Sequence, residues 1–263
     1  MRIAALPARD ALVPWLLPLA ALLAWEAAAD GGLIASQVLP APSAVLAAAW
    51  RLAASGELFT HMAVSTARAA AGFAIGAAIG FTLGLLNGAS RFASRLLDGA
   101  LQMIRNVPHL ALLPLVILWF GIGEEAKLFL VALGVFFPIY LNTAHGVRTV
   151  DAGLQEMGRV YGLRGFAFFR EIILPGAMPS VLVGLRYALG ITWLTLIVAE
   201  TVSASSGIGY MTMNAREFLE TDVVVLGIVI YAVLGKLADA ATQILERRWL
   251  AWHSAFQPAA ARP

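Results

Sequence analysis

The chain has 263 residues, 60% of them hydrophobic and 13% charged, and its mean hydropathy of +0.80 lies far above that of a water-soluble globular domain. It contains no cysteine, which excludes disulfides, thiolate metal centres, iron–sulfur clusters and cysteine nucleophiles. A formal net charge of +2 is too small to point to nucleic acid, so the informative question is where the basic residues sit.

A bilayer core of about 30 Å needs roughly 20 mostly apolar residues per spanning helix. Apolar runs bounded by charges or turn residues predict such helices over 12–29, 69–87, 101–120, 128–144, 178–198 and 223–241. The expected fold class is therefore all-α: a polytopic membrane protein with about six transmembrane helices in one domain over 1–263. The first run follows Arg2 and Arg9 and ends in Ala27, Ala28 and Ala29, so a cleaved signal peptide is the alternative to a retained helix. A retained helix keeps the span count even. The following segment, LPAPSAVLAAAWRLAASGELFTHM, reads as a short interfacial helix on the outer face. In the second span Gly72, Gly76, Gly80, Gly84 and Gly88 recur at every fourth residue, a slightly drifting stripe along one helix face. Glycine is common in membrane helices, but five in strict register predict a line of close approach for another helix backbone.

Six spans put both termini on one side. The segments on that side hold eleven basic residues, Arg2, Arg9, Arg91, Arg95, Arg148, Arg159, Arg164, Arg170, Arg247, Arg248 and Arg262, against four on the other, Arg51, Arg68, Lys127 and Arg216. The excess assigns both termini and the loop after the fourth span to the cytoplasm.

That loop holds EMGRVYGLRGFAFFREIILP, residues 156–175, a polar island in an apolar chain. Leu154, Met157, Val160 and Tyr161 recur at helical spacing, and Gly162 stands where a left-handed C-terminal cap is expected. A second short helix is predicted after Gly165, with Phe166, Phe169, Ile172 and Ile173 on one side, ending by Leu174 because Pro175 disfavours helix in the residue before it. Such a helix-turn-helix suits the docking of a soluble partner. A hairpin lying along lipid headgroups is the competing reading.

Glu156, Met157 and Gly158, then three residues, Gly162, nine residues, and Ile172, Ile173, Leu174 and Pro175 resemble the EAA loop of the permease subunits of bacterial ABC importers. Met157 and Gly158 stand in place of its two alanines. The resemblance extends through LPAPSAV, RNVPHLALLPL, PGAMPSVLVGLRYALGITWLTLIVAETVSASSGIGYMTMNAREFLETDVVV and YAVLGKLAD. These segments are most similar to aliphatic sulfonate permeases, in the group that also holds taurine, nitrate and thiamine-precursor permeases. What the resemblance implies is a type I importer permease fold, acting as two copies of the subunit above two cytoplasmic ATPase subunits and below a periplasmic substrate-binding protein. The segment 149–176 would then be the coupling element, with 149–161 moving as a rigid lever when the ATPases close. The chain itself has no G-x-x-x-x-G-K-[ST]; its one GK, Gly235–Lys236, is followed by Leu237, so ATP belongs to the partner and no cofactor or metal is expected here.

Glu26, Arg105, Arg186, Glu200, Lys236 and Asp239 fall in or beside spans, where a charge costs about 2.5–3.5 kcal/mol unless it is paired or faces water. Lys236 and Asp239, three apart, can pair with each other. Glu200 stands 14 residues after Arg186, roughly 21 Å along one helix, so each needs another partner. Both are candidates for a translocation path, and a guanidinium fork suits the three oxygens of a sulfonate. A serine–histidine enzyme could be read from Ser205 and Ser206 with His109 or His145, but the serines follow the end of the fifth span while His145 lies at the opposite face, about 30 Å away across the bilayer. HExxH is absent, and a passive channel is opposed by the loop.

Overall fold

A computed structural model describes residues 8–252. Helices are the only regular elements among them: α1 (Ala8–Asp30), α2 (Pro42–Ser55), α3 (Glu57–Ala89), α4 (Arg91–Ile104), α5 (Leu113–Phe120), α6 (Glu124–Arg148), α7 (Ala152–Val160), α8 (Gly165–Phe168), α9 (Leu174–Ser203), α10 (Ile208–Glu217) and α11 (Thr221–Trp249). Among the described residues α3, α6, the run Gly165–Val202 and α11 are each long and apolar enough to cross a bilayer, and the bent pair Arg91–Ile104 and His109–Phe120 provides a fifth crossing. α1 occupies the expected first span; its 23 residues extend over about 35 Å. Arg2 and Arg262, which entered the charge count, lie outside the described residues.

The glycine stripe builds the centre of the fold. A Cβ on Gly72 would fall 2.7 Å from Val131 Cβ, one on Gly76 2.9 Å from Ala132 Cα, one on Gly80 2.7 Å from the Phe136 carbonyl, one on Gly84 2.7 Å from Thr143 Cβ and one on Gly88 2.6 Å from Val147 Cβ. The stripe thus packs against a row of α6 residues that advances in the same sense. α3 and α6 run parallel, their backbones as close as hydrogen in place of Cβ permits.

Parallel neighbours in sequence need a return crossing. α4, one 3₁₀ turn (His109–Leu112) and α5 supply it, with a bend of 75° between the two helical parts. The unbroken helix expected over 101–120 is therefore broken. The cause is Pro108, which has no N–H and biases Val107 away from helical geometry; α5 then restarts with Pro114 in its first turn. Other spans are longer than hydropathy suggested, with α3 beginning at Glu57 rather than near 69.

α9 runs antiparallel to α6: Gly134 meets Ile191 and Thr195, whereas Gly146 meets Ala177 and Ser180. At one end of this bundle α2 and α10 pack against the start of α11 through Val45, Ala48, Ile208, Met211 and Leu226. α2 has the amphipathic form expected of an interfacial helix, with Trp50 and Leu46 exposed opposite its buried Val45 and Ala48. Ser43 N–H donates to Glu26 (3.0 Å), tying α1 to α2. At the other end lie α7 and α8, and here Arg148 donates to Asn87 Oδ1 (2.8 Å) and pairs with Asp98 (3.2 Å). That network joins α3, α4 and α6 at the base of the α7 loop.

Candidate coupling and translocation sites

Asp151 accepts the Leu154 N–H (2.9 Å) and caps the start of α7. At the other end Gly162 sits at φ 79°. Its N–H donates to the Arg159 carbonyl (3.0 Å) and that of Leu163 to the Gly158 carbonyl (3.0 Å). This is the left-handed cap expected from the sequence, which closes the last turn by satisfying its orphan carbonyls. Gly158 is buried, and a Cβ there would stand 2.8 Å from Ile172 Cγ1, so α7 crosses the 169–173 segment at minimum separation. The Arg159 guanidinium lies 5.7 Å from the Phe168 ring. Val147, Val150 and Ala177 form a buried cluster with Ile172 and Ile173 packed on it, which fixes the base of α7 to both α6 and α9.

The predicted stop at Pro175 does not occur. A π-helical turn, Phe169–Ile173, carries α8 directly into α9, and Leu174 and Pro175 become the first turn of that span. The wider turn eases the clash that a proline ring makes with the carbonyl four residues back, and the helix continues at the loss of the one bond that Pro175 cannot donate. The second short helix is thus the lower end of a span, and a displacement of α7 is transmitted to α9 without an intervening loop.

What the segment leaves unpaired is equally specific. Val160 and Tyr161 are 81% and 79% exposed, and Phe166 is also exposed. Glu156 is exposed too, with no hydrogen bond or ion pair among the described residues. Met157 and Leu154 are less open. An apolar tip beside an unpaired carboxylate, held on a capped and anchored helix, has the character of a docking surface.

Halfway along the bundle is a cavity of about 380 Å³. α6 contributes Leu133, Phe137, Leu141 and Asn142, α9 contributes Tyr187 and Ile191, and the break between α4 and α5 contributes Arg105, Val107 and His109. His109 Nε2 lies 2.9 Å from Thr195 Oγ1, and Asn142 Nδ2 donates to the Pro138 carbonyl (2.8 Å). Irregular backbone at this depth is tolerated where it lines a cavity.

Arg186 and Glu200 are not brought together. Arg186 donates to Glu246 (2.6 Å) and lies 3.5 Å from Asp239, which places it on the seam between α9 and α11. Asp239 also holds Lys236 (3.4 Å), the pair that their spacing predicts. Glu200 is 1% exposed and accepts from Ser65 Oγ (2.8 Å), Arg68 Nη1 (2.8 Å), the Gly209 N–H (2.9 Å) and Tyr231 OH (3.2 Å). Arg68 in turn grips Glu124 through two nitrogens (2.6 and 2.7 Å). Counted from sequence as a charge outside the spans, Arg68 is in fact buried on α3; its charge is tolerated because two carboxylates balance it and Ser206 accepts from its remaining donors. No local signal announces this cluster, since Glu124 and Glu200 are far in sequence from each other and from Ser65 and Arg68. Ser206 serves it at the end of the bundle opposite His145, and His109 is engaged with Thr195, so among the described residues no hydrogen bond joins either histidine to that serine.

A multi-pass helical bundle with an anchored, apolar-tipped loop at one end and a cavity at mid-depth has the form of a membrane transport subunit. The chain belongs to the binding-protein-dependent transport system inner membrane component family, whose model matches residues 72–251. It is 61% identical over 245 residues to a putative aliphatic sulfonates transport permease of Escherichia coli K12, covering 93% of each chain. It is 46% identical to the Bacillus subtilis 168 protein of the same description, covering 92% of this chain and 88% of the relative. A taurine transport system permease of E. coli K12 is 36% identical over 90% of this chain and 88% of its own. Family membership makes the chain a non-enzymatic, multi-pass inner-membrane component and implies an ATPase and a substrate-binding protein as partners.

Proposed function

We propose that the chain is the membrane-spanning permease of an ATP-driven importer of aliphatic sulfonates. The observation that carries this reading is the α7–α9 segment: a helix capped at both ends, seated on Ile172 across Gly158, and continuous through Leu174 and Pro175 with a membrane span. Two copies of the chain form the path, two cytoplasmic ATPase subunits bind below, and a periplasmic binding protein delivers substrate above. Both termini and the segment 149–176 face the cytoplasm within a single domain over 1–263. Glu156 supplies a carboxylate to the ATPase, Met157, Val160 and Tyr161 supply the apolar contact, and Gly162 sets the angle at which the chain leaves α7. Closure of the ATPase pair on ATP displaces α7, and Ile172, Leu174 and Pro175 carry that displacement into α9, which lines the central cavity. ATP stays on the partner subunit, in keeping with the absence of a phosphate-cradling G-x-x-x-x-G-K-[ST] here, and the permease works without a cofactor or metal of its own.

The sulfonate assignment rests on likeness to the two sulfonate permeases; taurine, nitrate or a thiamine-precursor-like solute is the runner-up. The test is growth of a deletion strain on a series of alkanesulfonates as sole sulfur source, with and without the gene restored. Restored growth on alkanesulfonates is the expected result. Restored uptake of nitrate without sulfonate uptake would overturn the substrate while leaving the transporter class in place.

A further inference from the structure

We infer that the mid-depth cavity is the sulfonate subsite of the permease itself, with Arg105 as the residue that takes the anionic head. This rests on the importer reading above and adds to it a place and a residue.

Arg105 ends α4 at the point where the third crossing breaks, and it has no hydrogen-bond or ion-pair partner among the described residues. Four other cations within spanning helices are paired: Arg186 is held by Glu246 and Asp239, Arg68 by Glu200 and Glu124, Lys127 by Glu124 and Lys236 by Asp239. An unpaired guanidinium at membrane depth is costly unless it faces water or an anion. This one faces the cavity. The cavity spans residues 133–142 of α6 and 187–191 of α9, the middle of both helices, so it stands on the route between the two faces rather than at either mouth.

The lining fits an alkanesulfonate in both halves. The sulfonate's three oxygens accept from the Arg105 fork, with the Tyr187 hydroxyl as a further donor on the same cavity wall. The alkyl chain lies along Leu133, Phe137, Leu141 and Ile191. A volume of about 380 Å³ falls in the range of small-ligand sites, roughly 300–1,000 Å³. Two prolines shape the site: Pro108 opens the α4–α5 break, and Pro138 lacks the N–H that would bond the Gly134 carbonyl. Arg186 does not line this cavity.

The test uses the whole importer, permease with ATPase in proteoliposomes and binding protein outside, measuring uptake of labelled butane- and octanesulfonate beside binding-protein-stimulated ATP hydrolysis. Arg105→Gln is expected to lower uptake at least tenfold while stimulated ATP hydrolysis persists, and Arg105→Lys to recover part of it because charge returns without the fork. Leu141→Trp, which fills the apolar part of the cavity, is expected to impair octanesulfonate far more than butanesulfonate. Uptake by Arg105→Gln within twofold of the unaltered importer would overturn the subsite and leave the importer reading intact. If Arg105→Gln does not assemble, Leu141→Trp decides: an unchanged ratio of the two sulfonates overturns the proposal. Failure of the unaltered importer to take up either sulfonate overturns the substrate reading and the subsite together.

Discussion

At the α2–α10 end of the bundle Arg68 is 6% exposed and gives its donors to Glu200, Glu124 and Ser206; at the α7 end Glu156 pairs with nothing described, and Val160 and Tyr161 stand about four-fifths open. The first end satisfies its polar groups internally and buries them. α10 is locked there to α3 and α9, because the Ile208 N–H donates to Ser65 and the Gly209 N–H to Glu200. The second end is equally well built at its base, through Arg148–Asp98 and the Val147–Val150–Ala177 cluster, but leaves its tip unsatisfied. An anchored base under an unsatisfied tip suits the proposed lever, whereas the opposite end is closed on its own side chains.

The sharpest way to break the contrast is to remove the charge that closes the first end. Arg68→Met strands Glu200 in the interior, and losing one member of a buried pair costs about 3–5 kcal/mol. Detergent-purified protein is expected in much lower yield with a lowered Tm, and Arg68→Met with Glu200→Met is expected to recover part of the loss. A single variant as stable as the parent would show that the cluster does not hold this end together. Next in size is the seam common to both ends: Gly80→Leu forces a side chain into the Phe136 carbonyl and Ile139, and overpacking of this kind costs about 1–3 kcal/mol. Lower yield of assembled transporter is the expected readout, with Gly76→Leu behaving alike; unchanged yield and uptake in both would place the stripe outside the packing.

At the lever the energetic effect is smaller and the functional one larger. Gly162→Val places a β-branched residue at positive φ, at a cost of about 1–2 kcal/mol, so insertion into the membrane is expected to persist. Uptake is expected to fall at least tenfold in reconstituted vesicles, because the chain leaves α7 in a different direction. Uptake at the parental rate with the ATPase bound would favour a hairpin lying on headgroups. The smallest effect is expected at Arg186, whose side chain is 43% exposed and whose pairs are correspondingly screened. Arg186→Lys is expected to keep uptake within about twofold; a tenfold loss with assembly intact would place Arg186 in the path.

These regions differ in how far the sequence discloses them. The glycine register, the cap at Gly162 and the Lys236–Asp239 pair follow from spacing along one helix, and each appears where the spacing puts it. The break at Pro108 was hidden because a hydropathy window averages over a single proline and sees 101–120 as one apolar run. The continuation through Pro175 was hidden for the converse reason: the rule against helix before proline is a bias and not a ban, and Leu174 adopts helical φ −64° and ψ −49° all the same. The partners of Arg68, Arg186 and Glu200 come from other helices, and no single sequence says which helices touch. The Arg105 cavity needs all three elements in place before it exists.

The most direct test of the account uses the absence of cysteine, which makes any single introduced thiol unique. Tyr161→Cys places one at the tip of the α7 loop and Trp50→Cys places one on exposed α2 at the opposite end. A membrane-impermeant maleimide is applied to intact cells and to inverted vesicles, with and without the ATPase. Tyr161→Cys is predicted to label only in inverted vesicles and to be protected when the ATPase is bound, while Trp50→Cys labels from outside and is indifferent to the ATPase. Labelling of Tyr161→Cys from outside, or at the same rate with and without the ATPase in inverted vesicles, would contradict the assignment of α7 as the cytoplasmic coupling element.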